Sequence, residues 1–223
     1  MSKVLVVAPH PDDETLGCGG TILKHQAQGD EIYWLIVTEM NSQGGYSEKE
    51  IIERNKQIEK VSKAYKFNEV LRSGFETSYL DTKPMAEIIK EFSRVLKKIQ
   101  PEIMYIPFKN DVHSDHKVVF NSIIAASKTF RNKKLKSLYV YETISETDFG
   151  SVKSFSETFN PNVFIDISKF IKKKISIMKI YKSEINKFPF PRSEKAINAL
   201  AVLRGAQSGT LAAESFMLLK EIK

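Results

Sequence analysis

Cysteine is nearly missing: the 223 residues contain one, Cys18. A single thiol excludes an intramolecular disulfide and a cysteine-built metal centre. Its setting, Gly17-Cys18-Gly19-Gly20, offers no adjacent base, so a buried small-residue role is expected rather than a nucleophile. Long apolar runs are missing too. Val4–Ala8 is far too short for the apolar centre of a signal peptide, and no segment approaches the ~18 apolar residues of a bilayer span. The expectation is a cytoplasmic protein without an integral membrane segment. Histidine is scarce: His10, His25, His113 and His116 are the whole complement.

Acid is in modest deficit, with 34 Lys+Arg against 27 Asp+Glu giving a net charge of +7. The densest basic stretch places Lys169, Lys172, Lys173, Lys174 and Lys179 among Ile171, Ile175 and Met178. That spacing reads as an amphipathic helix with a solvated lysine face, so no nucleic-acid partner is expected. The positive field favours an anionic conjugate, such as a phosphate-linked sugar, as small-molecule partner. A hydrophobic fraction of 42% and a charged fraction of 27% suit an ordinary globular chain. The length suits one domain over residues 1–223, with the C-terminal third contributing to the substrate pocket. Self-association into a closed homo-oligomer is compatible with the sequence.

Apolar runs at Val4–Ala8 and Glu31–Val37 read as buried strands, with a weaker strand at Glu69–Leu71 and further ones at Glu102–Ile106, Leu138–Tyr141 and Val163–Ile167. Helical segments are expected over Glu14–Gln28, closed by Gly29, and over Ser47–Tyr65, where Ser47 and Glu50 form a capping box. Others follow at Pro84–Ile99, His116–Phe130, Ser168–Lys187 and Glu194–Arg204. Strands alternating with helices predict an α/β, Rossmann-like three-layer fold with a mainly parallel sheet. Ligands of such sheets sit at the carboxyl ends of the strands, which directs attention to the loops after Ala8, Val37 and Ile106.

The first of these loops reads Pro9-His10-Pro11-Asp12-Asp13-Glu14, and the last leads to Asp111-Val112-His113-Ser114-Asp115-His116. Three of the four histidines thus fall in two loops rich in carboxylates. A hydrolytic metal site wants three protein ligands and an open position, which two histidines and one carboxylate from this pair can supply. Zinc suits nitrogen and oxygen donors; iron(II) or cobalt(II) would accept the same set. A surplus carboxylate can take a proton from water, and another can orient a histidine. The plainer alternative makes Asp12 or Asp13 a helix cap and Asp115 the cap of the helix beginning near His116. His25 reads as a packed helix residue. Gly17, Gly19 and Gly20 lack the spacing of a dinucleotide loop and sit beside three acids, a poor place for phosphate.

These residues resemble the PIG-L/LmbE-like family of metal-dependent N-deacetylases. Ala8-Pro9-His10-Pro11-Asp12-Asp13-Glu14 is similar to the family's A-H-P-D-D-E element, with Pro9 inserted, and His113-Ser114-Asp115-His116 to its H-x-D-H element. The likeness continues through Pro101–Pro107, Asn160–Ile167 and Arg204–Phe216. It implies zinc-dependent removal of an acetyl group from an N-acetylated sugar, with His10, Asp13 and His116 as metal ligands. It implies Asp12 as general base, His113 as cationic partner of the oxyanion, and Asp115 as the group orienting His113. Arg54 falls where the family often has a substrate-facing arginine, while Gln57 and Thr38-Glu39-Met40 depart from its usual glutamate and Thr-Asp-Gly. Arg192 and Arg204 are further candidate anion contacts. Two rivals remain: a two-metal phosphoesterase, and a non-catalytic sugar-binding protein on the same fold.

Overall fold

The computed structural model describes residues 1–150 and 158–223. Seven strands form one sheet: β1 Lys3–Ala8, β2 Glu31–Glu39, β3 Glu69–Glu76, β4 Ile103–Pro107, β5 Ser137–Tyr141, β6 Val163–Asp166 and β7 Ala213–Glu221. Their order across the sheet is β3-β2-β1-β4-β5-β7-β6. The first five pair in parallel, while β7 runs antiparallel to both β5 and β6. The helices are α1 Asp13–Gln28, α2 Glu48–Tyr65, α3 Met85–Ile99, α4 Ser114–Ala126, α5 Ile171–Met178 and α6 Glu194–Ser208. The chain proceeds outward from β1 to β3, then returns to place β4 on the other side of β1. At that reversal the connections leave in opposite directions and open a crevice at the strands' carboxyl ends.

Strand alternation sends side chains to two cores. Val4, Val6, Ile32, Trp34 and Ile36 pack with Leu16, Ile58, Val61 and Met178 of α1, α2 and α5. Leu5, Val7, Leu35, Met104 and Ile106 pack with Ile88, Phe92, Val119 and Ile123 of α3 and α4. Because both faces are covered, the central strands are apolar without interruption. Each fully buried side chain of this size contributes about 1.5–3 kcal/mol. This is the expected three-layer arrangement with a mainly parallel sheet. No helix among the described residues is long and apolar enough to cross a membrane.

Helix α1 lies unusually close to its neighbours, and its glycines explain how. A Cβ on Gly17 would stand 2.2 Å from the Tyr141 ring, and one on Gly20 would stand 2.6 Å from the Ile167 side chain. Cys18 is fully buried in the same helix, and burial pushes its thiol pKa up, in keeping with a packing role. A buried ion pair ties α1 to the C-terminal part of the chain. Glu214 accepts from the N–H groups of Gly20 at 2.8 Å and Thr21 at 2.7 Å, while Lys174 Nζ bonds Glu214 at 2.7 Å and the Leu16 carbonyl at 2.8 Å.

Three expectations about the C-terminal half need correction. The helix expected over Ser168–Lys187 is only Ile171–Met178, because the chain turns back after Met178 through short-range backbone bonds such as Tyr181 to Met178. Lys174, expected on a solvated face, is buried against Glu214. The set of expected elements also lacks β7, a nine-residue strand between β5 and β6. Elsewhere α4 begins at Ser114, two residues before the expected start, and ends at Ala126.

Candidate metal and catalytic centre

The turn after β1 and the turn after β4 meet at the crevice. Pro9, between Ala8 and His10, holds the first turn against β2: its carbonyl accepts from Thr38 N at 3.0 Å and Thr38 Oγ1 at 2.9 Å. His10, Asp13 and His116 then converge, with ligand atoms all within 4.8 Å of one another. Asp13 Oδ2 lies 3.3 Å from His10 Nδ1 and 3.2 Å from His116 Nε2. It also accepts from the His10 backbone N–H at 2.8 Å, which fixes its direction.

Each histidine's far nitrogen has a carboxylate of its own. Asp111 Oδ2 is 2.7 Å from His116 Nδ1. Asp115 Oδ2 is 3.0 Å from His10 Nε2 and accepts from Ser78 N at 2.8 Å. In neutral rings, with those far nitrogens donating, His10 Nδ1 and His116 Nε2 would face Asp13 as lone pairs. Lone pairs and a carboxylate repel unless positive charge lies between them. In keeping with this, His116 Nε2 is fully buried and has no hydrogen-bond partner. The same field acts on protons. Burial opposes a charged His10, yet bonds to Asp115 and Asp13 outweigh it and raise its pKa to about 9. Burial likewise opposes charge on Asp13, but His116 and His10 hold its pKa well below the usual range. The identity of these donors, their spacing and the carboxylate behind each ring all fit a divalent cation.

A second triplet, His10, His113 and Asp115, also falls within 4.8 Å. It is the poorer cage. Asp115 is already engaged by His10 and by the N–H groups of Ser78 and Leu80, and His113 Nδ1 accepts from Asp115 N at 3.2 Å. The expectation that Asp115 orients His113 meets a different geometry. The Asp115 carboxylate is 3.9 Å from His113 Nδ1 and 3.0 Å from His10, so it supports a ligand of the first triplet instead. His113 caps α4 through its ring nitrogen, which leaves its proton on Nε2. Burial and the neighbouring His10 push its pKa down to about 4, so it is a neutral donor rather than a cationic one.

Asp12 occupies the N-cap position of α1 but makes no side-chain capping bond, and Asp115 sits in the first turn of α4 rather than capping it. Asp12 instead bonds Arg192 Nη1 at 2.9 Å. Burial first, and then Asp13, push the Asp12 pKa well up, while Arg192 and Arg54 pull it back. Those opposing influences suit a proton acceptor that must also release its proton. Arg192 further bonds Ser145 Oγ at 2.7 Å, Glu184 at 3.0 Å and Glu146 at 3.2 Å. Arg54 reaches the Pro11 carbonyl at 2.8 Å and pairs with Glu184.

A cavity of about 190 Å³ is lined by His10, Asp12, Asp13 and His113 together with Met40, Tyr46, Arg54 and Arg192. It is one of the smaller hollows. A shallow groove of about 970 Å³ beside α5 and α6 is larger, but carries none of this chemistry. Arg204, expected as an anion contact, lies elsewhere. Glu142 holds its guanidinium at 2.8 and 2.6 Å, and it lines separate hollows near Leu200. His25 is also remote, bonded to Asp30 at 2.8 Å and Tyr105 at 3.0 Å. Sequence reasoning did not single out Asp111, Glu146 or Glu184. Asp111 had a signal, lying five residues before His116; the other two lie in loops with no motif around them.

Residues 5–127 match the family model described as PIG-L, GlcNAc-PI de-N-acetylase. The chain is 27% identical to a diacetylchitobiose deacetylase of Thermococcus kodakarensis over 224 residues, 96% of this chain and 82% of that protein. A conserved protein of Thermus thermophilus superposes with a TM-score of 0.78 at 26% identity, covering 100% of this chain and 97% of the other. An N,N'-diacetylchitobiose deacetylase of Pyrococcus horikoshii shares the fold, with a TM-score of 0.79 at 21% identity over 98% of this chain and 84% of that one.

Proposed function

Because the chain belongs to the PIG-L, GlcNAc-PI de-N-acetylase family, we propose that it hydrolyses the acetamide of an N-acetylated sugar of the N-acetylglucosamine type. The products are acetate and the free amino sugar. The observation that carries this reading is the convergence of His10 Nδ1 and His116 Nε2 on Asp13 Oδ2, with Asp12 beside them at the cavity wall.

His10, Asp13 and His116 would hold one divalent cation, for which zinc is our choice and iron(II) or cobalt(II) the alternatives. When bound, such a cation supplies Lewis acidity, polarising the amide carbonyl and making water a better nucleophile at neutral pH. Asp12 accepts the proton of the attacking water, helped by the Arg192 guanidinium that favours its ionised form. His113 Nε2–H donates to the oxyanion as the carbonyl carbon becomes tetrahedral. The proton on Asp12 then passes to the departing nitrogen, which would otherwise leave as an unstable amide anion. Arg54, Arg192 and Glu184 crowd the mouth as mutually paired charges, so the reacting sugar meets little uncompensated charge. We treat residues 1–223 as one catalytic domain in which the C-terminal third contributes Glu184 and Arg192 to the pocket.

The test is acetate release from a panel of N-acetylglucosamine conjugates, with bound metal counted in parallel. One cation per chain and acetate release are expected. Asp12→Asn should keep the metal and lose about 10²–10⁴-fold in kcat. Two cations per chain with phosphate release would favour the phosphoesterase. No turnover on any acetamide would sink the hydrolase reading.

A further inference from the structure

Asp12 has φ 139° and ψ −27°, a backbone conformation that side chains other than glycine rarely adopt. A half-turn of the Pro11–Asp12 peptide plane would relieve it: 139° − 180° gives φ of about −40°, which with the existing ψ lies in the right-handed helical region. Helix α1 would then start one residue earlier. Something must hold the strained form, and both ends of that one peptide group are gripped. The Pro11 carbonyl accepts from Arg54 Nη1 at 2.8 Å, and the Asp12 N–H donates to Glu14 Oε2 at 3.0 Å.

The two holders are themselves held. Glu14 is fully buried, and its other oxygen accepts from Thr15 Oγ1 at 2.6 Å and the Tyr181 hydroxyl at 2.9 Å. Arg54 bonds Ser183 Oγ at 3.2 Å, pairs with Glu184, and lies 5.6 Å from the centroid of the same Tyr181 ring. Glu14 does not line the cavity, so it has no route to a substrate. Arg54 does line it, with Nη1 turned to the Pro11 carbonyl and Nη2 to Ser183 and Glu184.

We propose that Glu14 and Arg54 are positioning residues that clamp the Pro11–Asp12 peptide in its strained orientation and so keep the Asp12 carboxylate aimed at the cavity. This rests on the hydrolase reading for its catalytic consequence, and it moves Arg54 from substrate contact to support of the base. Acceptor and donor are matched to the strained peptide. In the flipped plane the Asp12 N–H would turn toward the Arg54 cation and the Pro11 carbonyl toward the Glu14 carboxylate, two repulsive pairs. A base displaced by about 1 Å loses on the order of 10²-fold in rate.

The experiment uses metal-loaded wild type, Arg54→Met, Arg54→Lys, Glu14→Ala and the milder Tyr181→Phe. Arg54→Met and Glu14→Ala should each lower kcat about 10- to 100-fold, with KM and metal content close to wild type. Arg54→Lys should restore part of the loss, because an ammonium can still donate to the Pro11 carbonyl. The double variant should lose little more than the worse single one, since both act on one peptide. If Arg54→Met raises KM and keeps kcat, Arg54 is a substrate contact and the inference is wrong; fully multiplicative losses also overturn it. Should Glu14→Ala not fold, the pairing of Tyr181→Phe with Arg54→Met carries the same comparison. Amide hydrogen exchange at Asp12 reads the clamp without any turnover. Protection in wild type that is lost in Tyr181→Phe supports it, and an unprotected wild-type amide refutes it whether the hydrolase reading stands or falls.

Discussion

Replacing Asp111 by asparagine should weaken cation binding while leaving all three proposed ligands in place. Asp111 Oδ2 lies 2.7 Å from His116 Nδ1, and both side chains are fully buried. Its other oxygen accepts from Thr147 Oγ1 at 2.6 Å, so the carboxylate is anchored at both ends. Asparagine keeps an acceptor for the imidazole N–H but removes the negative charge that makes the ring a stronger donor to metal. Loss of such a partner costs about 10- to 100-fold in affinity, or about 1.4–2.7 kcal/mol. Stability should change little, since the Thr147 hydroxyl can rotate to accept from the new amide. Asp111→Ala is harsher, orphaning a buried ring N–H and a hydroxyl at about 1–3 kcal/mol each. The assay is zinc titration against a chromophoric chelator, followed by kcat at saturating zinc, which should stay within several-fold of wild type. His113→Ala serves as the control and should leave the zinc Kd unchanged. If Asp111→Asn binds zinc like wild type while His113→Ala does not, the cation belongs to His10, His113 and Asp115, and the ligand assignment fails.

Three other outcomes follow from the same geometry. Arg192→Gln removes the guanidinium that opposes the burial-driven rise of Asp12, so the acidic limb of kcat/KM should move to higher pH; an unmoved limb would take Arg192 out of the tuning of this base. In chelator-treated protein, burial holds the Glu14 pKa up at about 7 against 4.5 for a free side chain, so the folded form binds the extra proton. Stability should therefore be fully present below pH 4.5 and fall by ~3 kcal/mol as pH rises to about 7. Urea denaturation at several pH values should find this slope reduced in Glu14→Gln, and identical slopes would contradict it. Gly17→Ala forces a methyl group into the Tyr141 ring and should cost about 1–3 kcal/mol in the same measurement.

The parts legible in the sequence were those whose physics is local. β1, β2 and β4 are covered on both faces, so they appear as unbroken apolar runs, and the Ser47–Glu50 capping box formed where its spacing put it. The paired turns were legible because strand ends at a switch point must face one crevice, which is where the sheet order brings His10 and His116. The rest depends on tertiary context. β7 does not alternate cleanly, with four buried residues followed by mostly half-exposed ones, and Glu214 within it is buried where Lys174 and the Gly20 and Thr21 N–H groups meet it. The end of α5 could not be read either, as the chain turns there and Glu184 finds both arginines. Arg204 was misplaced because helical spacing does not say which face of α6 meets the sheet.

The ion pair linking α1 to the last strand has a consequence for how this protein comes into being. During synthesis, every residue proposed to grip the metal emerges long before Glu214 does, yet Glu214 and Lys174 are what fasten the middle of α1. A chain arrested ahead of β7 would therefore carry all three proposed ligands, on the β1 turn, α1 and α4, with α1 lacking its Glu214 anchor. That corner would gain this anchor only when the carboxyl-terminal strand slots between β5 and β6.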